Sequence, residues 1–296
     1  MSVTSKYIPF ESGHPGFKIA LMPLDPAQWI EPDEGLGDRL SEKARLDETA
    51  PDEVFRASPE ADAAQRETLR LLSRYLLEHH PSFYWKDGSV IHLPTAKRCI
   101  DLSSGEPPLK LAGQLVDDDL CLMMRDEDGR WRLMAASLHF PSHWSLGEKF
   151  GKSMAEIHTP VPAFVEEMNM RVARIFDNLR PEQPVWRLNW SLHDEPGLHL
   201  SGPTGGPRFA GVEGASLLAK AFLRVERQTL TKLPETGAIL FTIKTYQDPL
   251  PALLTHGGPD MVQDLHAGLS AMNADQLSYK GLTDARDRVL AAISET

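Results

Sequence analysis

Two stretches of alternating apolar residues, each folded back by a turn signal, constrain this chain more than anything else in it. In the first, Leu120, Leu122 and Met124 alternate with other residues. Asp126-Glu127-Asp128-Gly129 then supplies a turn, and Trp131, Leu133 and Ala135 resume the alternation. In the second, Leu223–Leu233 and Ala238–Tyr246 are joined by Pro234-Glu235-Thr236-Gly237. Period-two alternation puts successive side chains on opposite faces of a strand. Only antiparallel strands can be joined by so short a turn. The pattern points to an antiparallel sheet rather than a doubly wound parallel one.

The flanking segments read as helices. A helical pattern covers residues 36–46. Ser58-Pro59 is a cap followed by proline, and Leu69, Leu72 and Leu76 form one stripe beyond it, ending before Pro81. Ser145–Glu148 has the form of a capping box opening a helix to about Ile157. Thr159-Pro160-Val161-Pro162 breaks that helix. A second runs from about Ala163 to Leu179, with Phe164, Met168, Val172 and Ile175 on one side. Val185–His193 reads as a strand and residues 194–215 as a loop. From about Pro249 to Thr296 the chain reads as helices, interrupted near Asn273. The expectation is an α+β fold, with an irregular arm over residues 1–35 and a single domain over 36–296 that ends in helices.

Net charge is −11. Such a chain repels phosphate backbones and anionic lipid surfaces, so nucleic acid and membrane are expected non-partners. No run of about 18 apolar residues is present to span a bilayer, and the first residues have no apolar signal core. The two cysteines, Cys99 and Cys121, form no C-x-x-C pair, and a cytoplasmic protein with reduced thiols is expected. G-x-G-x-x-G, the phosphate-loop motif, H-E-x-x-H and G-x-S-x-G are all absent.

Three places carry residue types suited to chemistry. His139, His143 and His158 are the densest histidine group, but Pro141 keeps the first two off a common helix face, which weakens a zinc site. His158 ends a short helix just before a Pro-x-Pro stop. A rigid imidazole there suits an axial metal ligand, and equally a helix-end histidine bound to the last carbonyls. On the strand from Phe222, Arg224, Glu226 and Gln228 share one face and Val225, Arg227 and Thr229 the other. Either arginine could hold a carboxylate while the other pairs with Glu226 or sits at the rim, or the strand could be a solvated charged one. Arg187, Asn189 and Ser191 alternate with Trp186, Leu188, Trp190 and Leu192, giving a packed face and a wet one, or a polar pocket around Asn189. Asp117-Asp118-Asp119 and Glu166-Glu167 read as surface runs.

Four segments resemble the family of haem-dependent oxidative N-demethylase alpha subunits: ALMPLDPAQWIEPDEG, LVDDDLCLMM with PSHWSLGEKFGKSMAEIHTPVP, WRLNWSLHD, and FLRVERQTLTKLPETGAILFTIKTY. Their order fits one family from about residue 15 to 290. The resemblance implies a PAS-like antiparallel core that forms a haem b pocket, with His158 as iron ligand and Arg224 and Arg227 in contact with haem or substrate. It implies oxidative removal of an N-methyl group from a small secondary amine, with dioxygen as oxidant and formaldehyde released. Glu226 and Asn189 are then the candidates for holding the substrate's ammonium group. Electrons would come from separate reductase subunits of flavin and iron–sulfur type, because this chain has no motif for either cofactor. Where relatives often have Gln-Glu-Asp, this chain has Asp117-Asp118-Asp119. A PAS-like haem or small-molecule sensor without turnover is the alternative reading.

Overall fold

The computed structural model describes residues 7–10, 21–157, 165–202 and 208–295. Its strands are β1 (Met22–Pro23), β2 (Phe55–Ala57), β3 (Trp85–Asp87), β4 (Val90–Leu93), β5 (Arg98–Asp101), β6 (Asp119–Arg125), β7 (Trp131–Ser137), β8 (Val185–His193), β9 (Phe222–Lys232) and β10 (Ile239–Pro249). The helices are α1 (Leu36–Thr49), α2 (Pro51–Val54), α3 (Asp62–His79), α4 (Pro108–Leu115), α5 (Leu146–Lys149), α6 (Met154–Ile157), α7 (Val165–Asn178), α8 (Gly214–Lys220), α9 (Leu250–Ser270), α10 (Ala274–Tyr279) and α11 (Arg286–Ser294). Seven strands form one antiparallel sheet in the order β1-β8-β9-β10-β6-β7-β2, and β3-β4-β5 form a small second sheet. The α+β expectation holds. Among the described residues no helix is long and apolar enough to cross a membrane.

Both hairpins form where the alternation places them. β6 pairs with β7 across the Asp126–Gly129 turn, and β9 pairs with β10 across Pro234–Gly237. Gly237 closes its turn at φ +70°, a conformation that only glycine adopts without strain, and its amide donates to Leu233 O at 3.0 Å. The first hairpin departs from simple alternation. Between Leu122 and Met123 the register slips, so that Met134 is an extra residue on β7. Leu133 consequently joins the cluster on one side of the sheet and Ala135 the cluster on the other, as a bulge requires.

The two faces of the sheet are named here by adjacent residues of β9. The Arg227 face is covered twice. Helices α1, α3 and α4 pack over the β6–β7 end through Leu40, Leu72, Leu76 and Leu115 against Leu120, Leu122 and Leu240. Helices α8–α11 pack over the β8–β9 end through Leu217, Leu265 and Val289 against Trp190, Leu223 and Val225. Gly113 makes the first packing close: a Cβ there would lie 2.1 Å from Ser137 Oγ. The Glu226 face is covered at its β6–β7 end by α5–α7, where Leu146, Phe176 and Leu179 meet Cys121, Met123 and Ile239.

Three parts of the structure depart from the sequence reading or were absent from it. The helix read over 145–157 is two single turns, α5 and α6. Ser145 Oγ does accept from the Glu148 amide at 3.2 Å, but Phe150 is extended and Gly151 sits at φ +75°. The turn between them hydrogen-bonds to β7 instead, Gly151 N donating to Leu133 O at 2.9 Å. The second sheet and α4 carried no sequence signal strong enough to read. The third concerns Asp117–Asp119, which are not a surface run. All three are buried.

Candidate functional site

Strands β9 and β10 have a neighbour on each side, so their side chains can reach solvent only through a face. Yet Glu226, Leu230 and Phe241, on the Glu226 face of these strands, are half-buried, as are Arg187 and Asn189 beside them on β8. Between them Gln228, Ile243 and Thr245 are buried, so the partial exposure falls to either side of that row. The result is a hollow with an apolar end, where Leu230 and Phe241 meet Trp144, Phe150 and Ile157, and a polar end centred on Glu226.

The polar end is one connected network. Register places Asn189 opposite Glu226 and Arg187 opposite Gln228. Asn189 Nδ2 donates to Glu226 Oε2 at 3.3 Å, and Gln228 Nε2 donates to the same oxygen at 2.9 Å. Arg187 Nε donates to Gln228 Oε1 at 2.7 Å. Arg224 Nε lies 3.5 Å from Glu226 Oε1, and Lys280 Nζ lies 3.5 Å from Asn189 Oδ1. Lys149, from the end of α5, is not bonded to this network: it stands over the Trp144 ring at 4.0 Å, toward the apolar end, with Glu226 among its charged neighbours. Tyr279, at the end of α10, has Glu226 and Arg187 as its charged neighbours.

The charge balance of the hollow is lopsided. Glu226 is the shared counter-charge of Lys149, Arg187, Arg224 and Lys280. Burial pulls all four cations below their ordinary ranges, Lys149 to about 8 and Lys280 to about 7, against the upward pull of Glu226. Even with Asp119 beside Arg224 and Glu148 beside Lys149, the four cations outnumber the carboxylates, which favours anions and neutral bases over added positive charge.

The candidates on β9 part company. Arg224 lies under the hollow, but its Nη2 donates to Phe140 O at 2.5 Å and its Nη1 to Leu198 O at 3.0 Å. Arg227 is on the other face. It is buried as well, with Nη1 donating to Trp29 O at 3.0 Å, Nη2 donating to Gln28 O, and Nε 3.4 Å from Glu31 Oε2. Neither sits at a rim. Arg227 belongs to a second charged centre that pins the segment 28–33. Asp117 bridges Lys244 at 3.0 Å and Arg39 at 2.5 Å. Burial pushes Asp117 up, but those two cations outweigh it and hold it below its usual range. Asp118 has no hydrogen-bond partner on either oxygen, and burial followed by the charge of Asp117 raises it to about 7. Asp119 accepts the amides of His139 at 2.7 Å and Phe140 at 3.0 Å. Cations from remote segments explain why an aspartate run can be buried here.

His139 is paired with Asp47 at 2.9 Å, while His143 stacks on His193, ring centres 5.3 Å apart. Among the described residues no three histidine, cysteine or acidic side chains converge to hold a metal ion, so His139 and His143 find no third zinc ligand there. His158 lies outside the described residues. In the chain it falls between α6 and α7, the two elements whose apolar sides pack on the Glu226 face. A groove of about 1140 Å3 between α3 and the segment before α4 is lined by Arg66, Arg70 and Arg74. It is remote from this network, and Arg66 and Arg70 are already paired with Asp62 and Glu235.

Sequence reasoning named Glu226, Asn189 and Arg224 in this network. It gave no chemical role to Arg187, although its alternation with Asn189 was visible, and passed over Lys149, Tyr279 and Lys280, which arrive from other elements. Comparison with family models matches residues 20–290 to "Haem-dependent oxidative N-demethylase, alpha subunit-like". That span includes every residue of the network just described, and the chain belongs to this family.

Proposed function

We propose that this chain binds haem b in the hollow of the Glu226 face and carries out oxidative N-demethylation of a small secondary methylamine. The overall change consumes dioxygen, two electrons and two protons, and yields the demethylated amine, formaldehyde and water. The observation that carries this reading is the hollow itself: apolar side chains at one end, cations exceeding carboxylates at the other. That pairing suits a flat apolar ring system with an anionic edge. His158, from the chain between the two helices bordering the hollow, is the proposed iron ligand. The strand order supports a PAS-like core, since the first long strand, β6, lies beside the last, β10. The family's alpha-subunit description supports partner subunits, and reductases of flavin and iron–sulfur type are the partners proposed.

When bound, the haem supplies dioxygen activation. The chain's own residues would manage the amine. The surplus of positive charge lowers the proton affinity of any amine entering the hollow, so the substrate is held as its free base. That form keeps the nitrogen lone pair that oxidation at the adjacent carbon needs. Glu226 accepts two amide hydrogen bonds on one oxygen, which leaves acceptor capacity for the substrate N–H. Asn189 and Gln228 fix the carboxylate, and Arg224 beneath balances its charge.

The test is a visible spectrum of protein produced with ample haem precursor, followed by turnover of a methylamine panel with a competent reductase and a formaldehyde assay. A Soret band that is lost or displaced in His158→Ala, together with formaldehyde release, is expected. A colourless wild-type protein would end the proposal.

A further inference from the structure

Most buried cations in this structure have acceptors. Arg224 and Arg227 bind backbone carbonyls, Lys43 donates to Val116 O and Asp118 O, and Lys244 meets Glu31 O and Asp117. Three half-buried cations differ: Lys232 stands at the far end of β9, beside residues 177–183, and the other two border the hollow. Arg187 uses only its Nε, toward Gln228 Oε1, and neither terminal nitrogen has a partner among the described residues. Lys149 rests on the Trp144 ring and has no hydrogen-bond acceptor among the described residues. A half-buried cation has lost part of its hydration, and an anionic ligand that displaces its remaining water would compensate it. Glu226, shared among four cations, cannot serve both.

We infer that the guanidinium of Arg187 and the ammonium of Lys149 are the two anchors for carboxylates of the ligand in this hollow, taken here as the propionates of haem. The inference rests on the proposed haem reading. Geometry supports the division of labour. The bond from Arg187 Nε to Gln228 Oε1, with Gln228 held in turn by Glu226, fixes the guanidinium plane and leaves its terminal edge for a bidentate carboxylate. Lys149 offers a point charge from a different element, the end of α5. Arg224 and Arg227, the arginines that the β9 motif brings to notice, are committed to the protein's own backbone.

The test compares two porphyrins: haem, and haem dimethyl ester, in which both propionates are uncharged. Soret titration gives affinity, and transfer to apomyoglobin gives the dissociation rate. Arg187→Gln and Lys149→Met should each weaken haem about tenfold or more and leave the ester unchanged, while Arg187→Lys should recover part of the loss. Melting curves of the apoproteins show whether each variant folds. Equal weakening of both porphyrins would overturn the inference, because the side chains would then act by packing. So would unchanged haem affinity in both variants. Wild-type protein that binds neither porphyrin overturns the haem reading and this inference with it, a result distinct from the other two.

Discussion

Arg227 and Glu31 meet at 3.4 Å across nearly two hundred residues of chain, and the same guanidinium holds the carbonyls of Gln28 and Trp29. This contact ties the leading segment to a central strand. Glu31 also accepts hydroxyl hydrogen bonds from Tyr7 at 2.8 Å and Tyr246 at 3.2 Å. Removing one partner leaves a buried charge uncompensated, which costs about 3 to 5 kcal/mol. Arg227→Gln is expected to lower stability by that order in urea unfolding and to speed proteolysis around residues 21–35. Unchanged haem affinity in the folded variant would agree with its place on the far face.

Glu67 makes a second long-range tie. Its carboxylate accepts the amides of Glu235 at 2.7 Å and Thr236 at 2.9 Å, and the Thr236 hydroxyl at 2.6 Å. One side chain of α3 thus satisfies the turn between β9 and β10. Glu67→Ala should cost about 2 kcal/mol or more, and amide exchange should quicken at residues 234–237 before it does elsewhere in the sheet.

Asp118 is expected to be a stability liability at high pH. Its folded pKa, about 7, lies above the ordinary carboxyl value, so the stability linked to it is complete in acid and lost as pH rises through 7. Asp118→Asn should therefore raise the melting temperature by several degrees at pH 8 and change it little at pH 4. A fall at pH 8 would contradict the unpaired environment seen for both carboxylate oxygens.

The stacked imidazoles act in the opposite sense. Burial, followed by the charges of Arg208 and Arg224, lowers His143 to about 4 and His193 much further. A depressed histidine favours the folded state above its unfolded value near 6.5, and that contribution fades as pH falls from there toward 4. His143→Asn, which suits the φ of +57° at this position, should flatten the acid limb of the stability profile. An acid limb as steep as that of wild type would rule His143 out as a contributor.

At the site itself, Glu226→Gln keeps the shape and removes the charge. The variant is expected to bind haem normally and to lose about ten- to a hundredfold in kcat/KM for the amine. Loss of haem without change in amine selectivity would move the substrate away from Glu226.

Much of this architecture was legible because alternation and turn chemistry act locally. β8 was read to the residue, and both hairpins to within a few. The capping box of Asn273 with Gln276 accounts for the break read near Asn273. What escaped depended on distant partners. Nothing in Asp117-Asp118-Asp119 announces Arg39, Lys43 and Lys244, although the uninterrupted apolar residues that follow, Leu120 to Met124, argue against a solvated loop. Likewise Glu226 and Asn189 could be placed on strands from sequence, but two of their four cationic neighbours, Lys149 and Lys280, come from α5 and the residue after α10, which no local pattern connects to β9. The bulge at Met134 is of the same kind, since alternation alone cannot say where a strand gains a residue.

The sheet order has a consequence for synthesis. β6 and β7 emerge from the ribosome more than a hundred residues ahead of β10, the strand that zips onto β6. β8 likewise waits for β9. Until both late strands arrive, the nascent chain holds two unpaired edges, and the hollow lacks its floor. Those edges are where a partly made chain is most open to pairing with the wrong strand.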